Sequence, residues 1–248
     1  MEDADYAHVQ ELIVNAYNDH LEELKWDWAQ LARPNQLPPE NYDVWLVLAG
    51  RGFGKTRMGA ELVRHWVEVE GFKRIALVGE TEHDVRGVMV EGESGLLNIG
   101  PPSRRPEYFP SLRRLVWSNG AVAEFFASTH VEGLRGPQFH GAWVDEIAKF
   151  KNPKDVYDQL NFTLRLGSHP KMIITTTPKP IGFLKGLMQE KGVVTTRGSS
   201  FDNAQNLSPN FLSRLDDLYA HTDLRRQEVE GEILNQHSLF KREWFRYS

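Results

Sequence analysis

The sequence predicts an α/β domain: a mainly parallel central sheet, flanked by helices, with a phosphate-binding loop after its first strand. Three observations carry this. Residues 49–56 read AGRGFGKT, a glycine-rich turn closing on Gly54-Lys55-Thr56. Continuous apolar runs alternate with amphipathic stretches, as doubly buried strands alternate with covering helices. One such run, AWVDE at 142–146, ends in two acids.

Taken in order, residues 5–31 predict a helix, with Val9, Leu12, Ile13, Ala16, Tyr17, Leu21 and Leu24 at i, i+3, i+4 spacing. Pro34, Pro38 and Pro39 break it. VWLVLAG (44–50) is the first buried strand, and 55–69 the helix after it, apolar at Met58, Leu62, Val63, Trp66 and Val67. KRIALVGE (73–80) is the second strand, completing a βαβ unit that is expected to be right-handed. A short helix follows at 82–91. Residues 113–128 predict a hairpin about Ser118-Asn119-Gly120. HGAWVDEI (140–147) is a buried strand, 153–166 a helix opened by Pro153, and KMIITTTP (171–178) a strand. Residues 181–190 predict a helix and GVVTTRGS (192–199) the last strand. From Leu207 the texture becomes helical, with one helix opened by Ser208-Pro209 and a second at 222–232. This divides the chain into a core of 1–206 and a small helical lid or linker of 207–248. The aromatics Phe240, Trp244, Phe245 and Tyr247 close the sequence.

The composition narrows the function classes. The chain has 248 residues, 40% of them apolar and 25% charged, as in ordinary globular domains. A net charge of −5 carries no global nucleic-acid signature, so any contact with DNA must come from a local patch. There is no cysteine, which excludes disulfides and thiolate metal sites and suits a reducing cytoplasm. No run approaches the roughly 20 apolar residues of a membrane span. The acidic, polar start is not a signal peptide.

The loop is the strongest chemical signal. Gly50, Gly52 and Gly54 let backbone N–H groups turn inward toward phosphate oxygens, and the following helix adds its positive end. Lys55 would neutralise phosphate charge and Thr56 would offer a hydroxyl to Mg²⁺. The usual spacing places glycine at 49, where this chain has Ala49; a negative φ there would make the alanine harmless. At the acidic strand end, Asp145 can hold Mg²⁺ and Glu146 can orient or deprotonate the attacking water. Thr175, Thr176 and Thr177 end the next strand, where a hydroxyl can sense the terminal phosphate. Arg51, inside the loop, and Arg135, in the Gly-flanked turn GLRGPQ, are candidates to meet charge that develops during hydrolysis. Arg104, Arg105, Arg113 and Arg114 form one local basic cluster and Lys149, Lys151 and Lys154 another; either could touch phosphates, but charge alone favours a solvated face.

Five motifs, LARPNQLPP, WLVLAGRGFGKTRMGAE, ALVGET, LRGPQFHGAWVDEIAKF and IITTTPKP, occur in an order and spacing that resembles the large terminase subunits of tailed double-stranded DNA bacteriophages. The resemblance runs from about Trp28 to about Leu239. In that family an arginine-bearing phosphate loop with alanine in first position is common. The resemblance implies a P-loop NTPase of the ASCE/RecA-like kind, using ATP and Mg²⁺ to drive double-stranded DNA into a preformed procapsid. It implies a homo-oligomeric ring, pentameric in the usual arrangement, docked on the portal protein and working with a small terminase subunit. It places the protein in the host bacterial cytoplasm, transiently at the portal, and off membranes. By position, Lys55 and Thr56 match the phosphate loop, Asp145 the Mg²⁺ acid, Glu146 the catalytic glutamate and Thr175 to Thr177 the coupling motif. Gln36 resembles the adenine-recognising glutamine, Arg135 the arginine finger supplied in trans and Arg51 the loop arginine. Arg104 and Arg105 match DNA-facing basic positions loosely. Family members continue into a nuclease domain that these residues do not include, so no DNA cleavage is expected of them. Two rival readings remain: a nucleotide-gated assembly module with little hydrolysis, and another P-loop nucleic-acid motor such as a helicase.

Overall fold

The structure is a computed structural model that describes residues 2–219, 223–231 and 233. Helix α1 (Glu2–Leu24) and the one-turn α2 (Trp28–Leu31) precede strand β1 (Val44–Ala49). Helix α3 (Lys55–Glu68) leads to β2 (Arg74–Gly79), then α4 (Glu82–Asp84), which runs into a π-helical stretch, Val85–Val90. Strands β3 (Glu107–Phe109), β4 (Arg114–Val116) and β5 (Val122–Ala127) follow, then β6 (Gly141–Asp145), α5 (Pro153–Thr163), β7 (Lys171–Thr176), α6 (Gly182–Leu187) and β8 (Val193–Gly198). Helices α7 (Pro209–Tyr219) and α8 (Asp223–Glu228) come last. The final aromatics, Phe240 to Tyr247, lie outside the described residues. No described helix is long and apolar enough to cross a membrane.

The sheet has eight strands in the order β3-β4-β5-β2-β6-β7-β1-β8. From β5 to β8 every pairing is parallel, while β3–β4 and β4–β5 are antiparallel. The apolar runs explain the centre. All residues of β1 and β6 are buried, because helices cover both faces of the sheet. One core layer joins α3 (Met58, Leu62, Val63, Trp66) to Trp45, Leu77 and Trp143. The opposite layer joins α5 and α6 (Val156, Leu160, Leu184) to Leu46, Val78, Val144 and Ile174.

Three sequence expectations change. The helix predicted over 5–31 is interrupted at 25–27: Asp27 accepts the Ala29 N–H and caps a new start at Trp28. The apolar stripe of α1 faces solvent, with Leu12, Ile13, Tyr17 and Leu21 all exposed. Periodicity identifies a face; it does not supply a surface to cover it. The hairpin about Asn119 forms, but its second arm, β5, pairs parallel with β2 on its other side, and β3 extends it to three strands.

This topology positions the site. Parallel strands deliver their C-terminal ends to one edge, where ligands of open α/β sheets bind. The phosphate loop follows β1 and the acid pair ends β6. Strand β7 lies between them and brings the threonines into the gap.

Candidate active site

The phosphate loop is built by two glycines in backbone conformations that other residues rarely adopt. Gly52 has φ 75° and Gly54 φ 101°. Ala49 remains the last residue of β1 and does not have positive φ, so alanine fits there without strain. Gly54 is the N-cap of α3, and Met58 N–H donates to its carbonyl at 3.0 Å. The N–H groups of the first helical turn have no carbonyl in the preceding turn and point from the helix end toward the loop. Phe53 is fully buried and fixes the loop from beneath, against Gly198.

Lys55 lies back along the loop. Its ammonium donates to Ala49 O at 2.9 Å, Gly50 O at 3.1 Å and Thr177 Oγ1 at 3.1 Å. It is 3.7 Å from Glu146 Oε1. Thr177 closes this triangle by donating its N–H to Glu146 Oε2 at 3.2 Å and its hydroxyl to Oε1 at 3.3 Å. Lys149 stands 4.0 Å from Glu146 Oε2 on the outer side.

Glu146 has φ 56° and ψ 42°, left-handed for a residue with a side chain. Such a conformation costs about 1–3 kcal/mol and persists only where its surroundings enforce it. Here Glu146 N–H donates to Thr175 O at 2.6 Å, and Lys149 N–H donates to Glu146 O at 2.9 Å. These bonds turn the chain sharply at the end of β6, and the carboxylate faces Thr177 across β7.

Asp145 is buried. Thr175 donates its hydroxyl to Oδ1 at 2.6 Å and accepts from Trp143 Nε1 at 3.0 Å. Burial, reinforced by the neighbouring Glu146, pushes the Asp145 carboxyl up to about 6; Thr175, Lys55 and Lys149 oppose the rise. The third threonine, Thr176, accepts the Ala148 N–H at 3.2 Å and fixes the turn after the acids.

A cleft of ≈ 1320 Å³ opens over the loop, lined by Gln36, Arg51, Lys55, Thr56, Glu146 and Thr177 among others. It brings together most of the sequence-predicted site. Gln36 is buried at the inner wall, with Nε2 3.4 Å from Phe53 O and close against Gly54. Arg51 is exposed on the rim. Arg135 does not line the cleft; it is exposed and pairs with Glu132 at 2.9 Å. Arg104 and Arg105 also lie elsewhere. Arg104 binds Glu23 at 2.9 Å, while Arg105 donates to Gly100 O at 3.2 Å and lies over Trp26.

Sequence reasoning missed two residues that grip the loop. Arg33 donates to Phe53 O at 2.6 Å, and Asn203 donates to Gly52 O at 2.7 Å. The two lie 170 positions apart, and no spacing pattern links them.

Of the two residues that would hold a nucleotide's divalent cation, Thr56 lines the cleft, while Asp145 is buried behind it and bonded to Thr175. No group of three or more His, Asp or Glu residues suited to a metal occurs among the described residues. A cation held by Thr56 and Asp145 would therefore need phosphate oxygens and water for its remaining ligands, which is the habit of Mg²⁺.

The sequence profile of the family described as "Terminase large subunit, T4likevirus-type, N-terminal" matches residues 46–247. Among solved structures the chain is similar to the large terminase of a thermophilic bacteriophage in complex with ADP. That likeness has 18% identity and a TM-score of 0.64 over 85% of this chain and 52% of that one. It is also similar to the Thermus phage P74-26 large terminase ATPase domain, with 14% identity and TM-score 0.61 over 82% and 94%. The HK97 bacteriophage large terminase gives 15% identity and TM-score 0.61 over 79% and 47%. No curated protein matches the chain. The chain spans about half the length of the ADP-bound terminase. At these identities the structural likeness establishes the fold: the α/β class predicted from the apolar runs and the loop.

Proposed function

This chain belongs to the terminase large-subunit family, and on that premise we propose that it binds and hydrolyses ATP as a motor that drives double-stranded DNA into a phage procapsid. The observation that carries the reading is the triangle of Lys55, Thr177 and Glu146, which joins loop, coupling strand and candidate base through contacts of 3.1–3.7 Å. The solved structures of the thermophilic phage terminase in complex with ADP and with ATP-gamma-S support nucleotide binding by this chain.

The loop N–H groups and Lys55 hold the β- and γ-phosphates, and Gln36 meets the adenine. Thr56 and Asp145 would hold Mg²⁺, which would neutralise charge on the phosphate oxygens. Glu146 orients a water and accepts its proton as the water oxygen bonds to the γ-phosphorus; the bond to the bridging oxygen breaks and ADP leaves. For Lys55 to reach phosphate it must release Thr177 and Glu146. That release makes Thr177 the first residue of the coupling segment to register nucleotide, and it frees the base. Arg51 acts from the rim, and Arg135, exposed and outside its own cleft, serves the cleft of a neighbouring subunit. The motor works as a pentameric ring on the portal protein of the procapsid, with a small terminase subunit, in the host cytoplasm. Arg104 and Arg105 are the proposed DNA-facing positions.

Glu146→Gln tests the core of this. The amide keeps the shape of the side chain but cannot take a proton. Nucleotide affinity should hold while kcat falls by about 10²–10⁴. Turnover equal to the parent would remove Glu146 from the mechanism.

A further inference from the structure

The phosphate loop is gripped by a pair of side chains that lie outside its own segment. Asn203 lies in the 3₁₀ segment Ser200–Asn206, after β8. Its Nδ2 donates to Gly52 O at 2.7 Å, and its Oδ1 accepts from Arg33 at 2.5 Å and from Asn206 at 2.9 Å. Arg33, just before the first 3₁₀ turn, donates its other arm to Phe53 O at 2.6 Å and lies over the Phe53 ring, 5.0 Å from its centroid. Consecutive carbonyls of the loop are thus held by two residues that also hold each other.

In a trans peptide the carbonyl and the next N–H point in opposite directions. Fixing Gly52 O outward therefore sets the turn in which the Phe53 N–H donates to Gly50 O at 3.4 Å, and fixing Phe53 O outward turns the Gly54 N–H inward. A glycine-rich loop has many alternative peptide orientations, and Gly52 and Gly54 flank this stretch with positive φ. Without an external hold, the donors would have to be ordered by the ligand at an entropic cost. We propose that Asn203, acting with Arg33, is a positioning residue: it pre-orients the loop amides for the second phosphate of a nucleoside diphosphate or triphosphate. Leu207 and Phe211 also crowd Gly52, so the hold comes from the segment that opens into α7. The inference rests on the nucleotide reading of the cleft proposed above.

The test compares ADP with AMP on the full chain, by competition against a fluorescent ADP analogue. AMP lacks the phosphate that the pre-oriented amides would receive. Asn203→Ala should weaken ADP about tenfold, on the order of 1.4 kcal/mol, and leave AMP within about twofold. Arg33→Lys keeps the charge but loses the fork that spans Asn203 and Phe53 O, so it should repeat the selective loss even if Asn203→Ala does not fold. Equal losses for ADP and AMP, or no loss for either, would overturn the positioning role. A parent chain that binds neither nucleotide would instead overturn the nucleotide reading itself, and the two failures are distinguishable.

Discussion

Asp145→Asn is expected to stabilise the nucleotide-free protein at pH 8 while abolishing the proposed Mg²⁺-dependent ATP hydrolysis. Burial pushes the Asp145 carboxyl from 3.8 to about 6, with Glu146 adding to the effect. The folded chain therefore holds this proton more tightly than the unfolded chain. Between about pH 4 and pH 6 the folded state carries more protons, so stability falls as pH rises through that window. Above it the full penalty of a buried charge is present, roughly 3 kcal/mol for a rise of this size. Relaxation around the site, with Lys55 already nearby, makes about 1–3 kcal/mol the realistic range, or roughly 2–10 °C in Tm for a chain this long. Asparagine keeps an oxygen for the Thr175 hydroxyl and carries no charge to bury. Thermal melts of parent and variant in chelator, from about pH 4.5 to 8, should show a Tm gap that is small at the acid end and widens toward pH 8. Added Mg²⁺ with nucleotide should stabilise the parent and not the variant. A Tm gap that does not vary with pH, or a variant less stable than the parent at pH 8, would refute the buried-charge argument.

Other substitutions test separate links. Gly59→Ala should destabilise, because its Cβ would lie 2.1 Å from the Trp143 ring; overpacking of this kind costs about 1–3 kcal/mol, against a helix-propensity gain of about 0.5–1 kcal/mol. A Tm at or above the parent's would mean that α3 and β6 do not pack as described. If Arg135 works in trans, the ATPase rate per molecule should rise with protein concentration, and Arg135→Ala should flatten the rise; a parent rate independent of concentration counts against the trans role.

The fold was legible where the physics is local. A strand buried on both faces must be apolar throughout, so VWLVLA and GAWVD were readable as β1 and β6. A loop needing positive φ must have glycine, and Gly52 and Gly54 fall where φ is positive. Legibility ended where a partner was needed. The stripe on α1 has the right period, yet nothing in its own sequence reveals that Ile13 and Tyr17 face solvent. Strand β3, three residues between prolines, is too short to leave a period at all. The same division runs through the site. Lys55, Asp145 and Glu146 could be singled out as candidates because each sits at a strand or helix end that its own segment defines. Arg33 and Asn203 become site residues only through contacts across the tertiary structure, and the left-handed turn at Glu146 depends on a carbonyl from another strand, that of Thr175.

Two unfavourable features meet at the end of β6, and their coincidence argues for a purpose beyond folding. Arg113 also has positive φ, but it lies in an exposed turn ahead of β4, paired with Glu82, where an irregular backbone is cheap. Glu146 adopts the same conformation beside a buried carboxyl whose ionisation is already suppressed. A sequence selected for stability alone would relieve both with glycine at 146 and an uncharged residue at 145. The chain instead holds them with the Thr175 carbonyl and hydroxyl, the Thr177 N–H and hydroxyl, and the Lys55 ammonium. The last of these is the weakest link, because Lys55 also has its loop carbonyls and can be drawn off by phosphate. Removing Lys55 from the triangle leaves Glu146 facing Lys149 and the cleft, and leaves Thr177 with one partner fewer. On the function proposed above, nucleotide binding would act first on the strand that separates loop from acids, which is where a signal must pass if hydrolysis is to move anything.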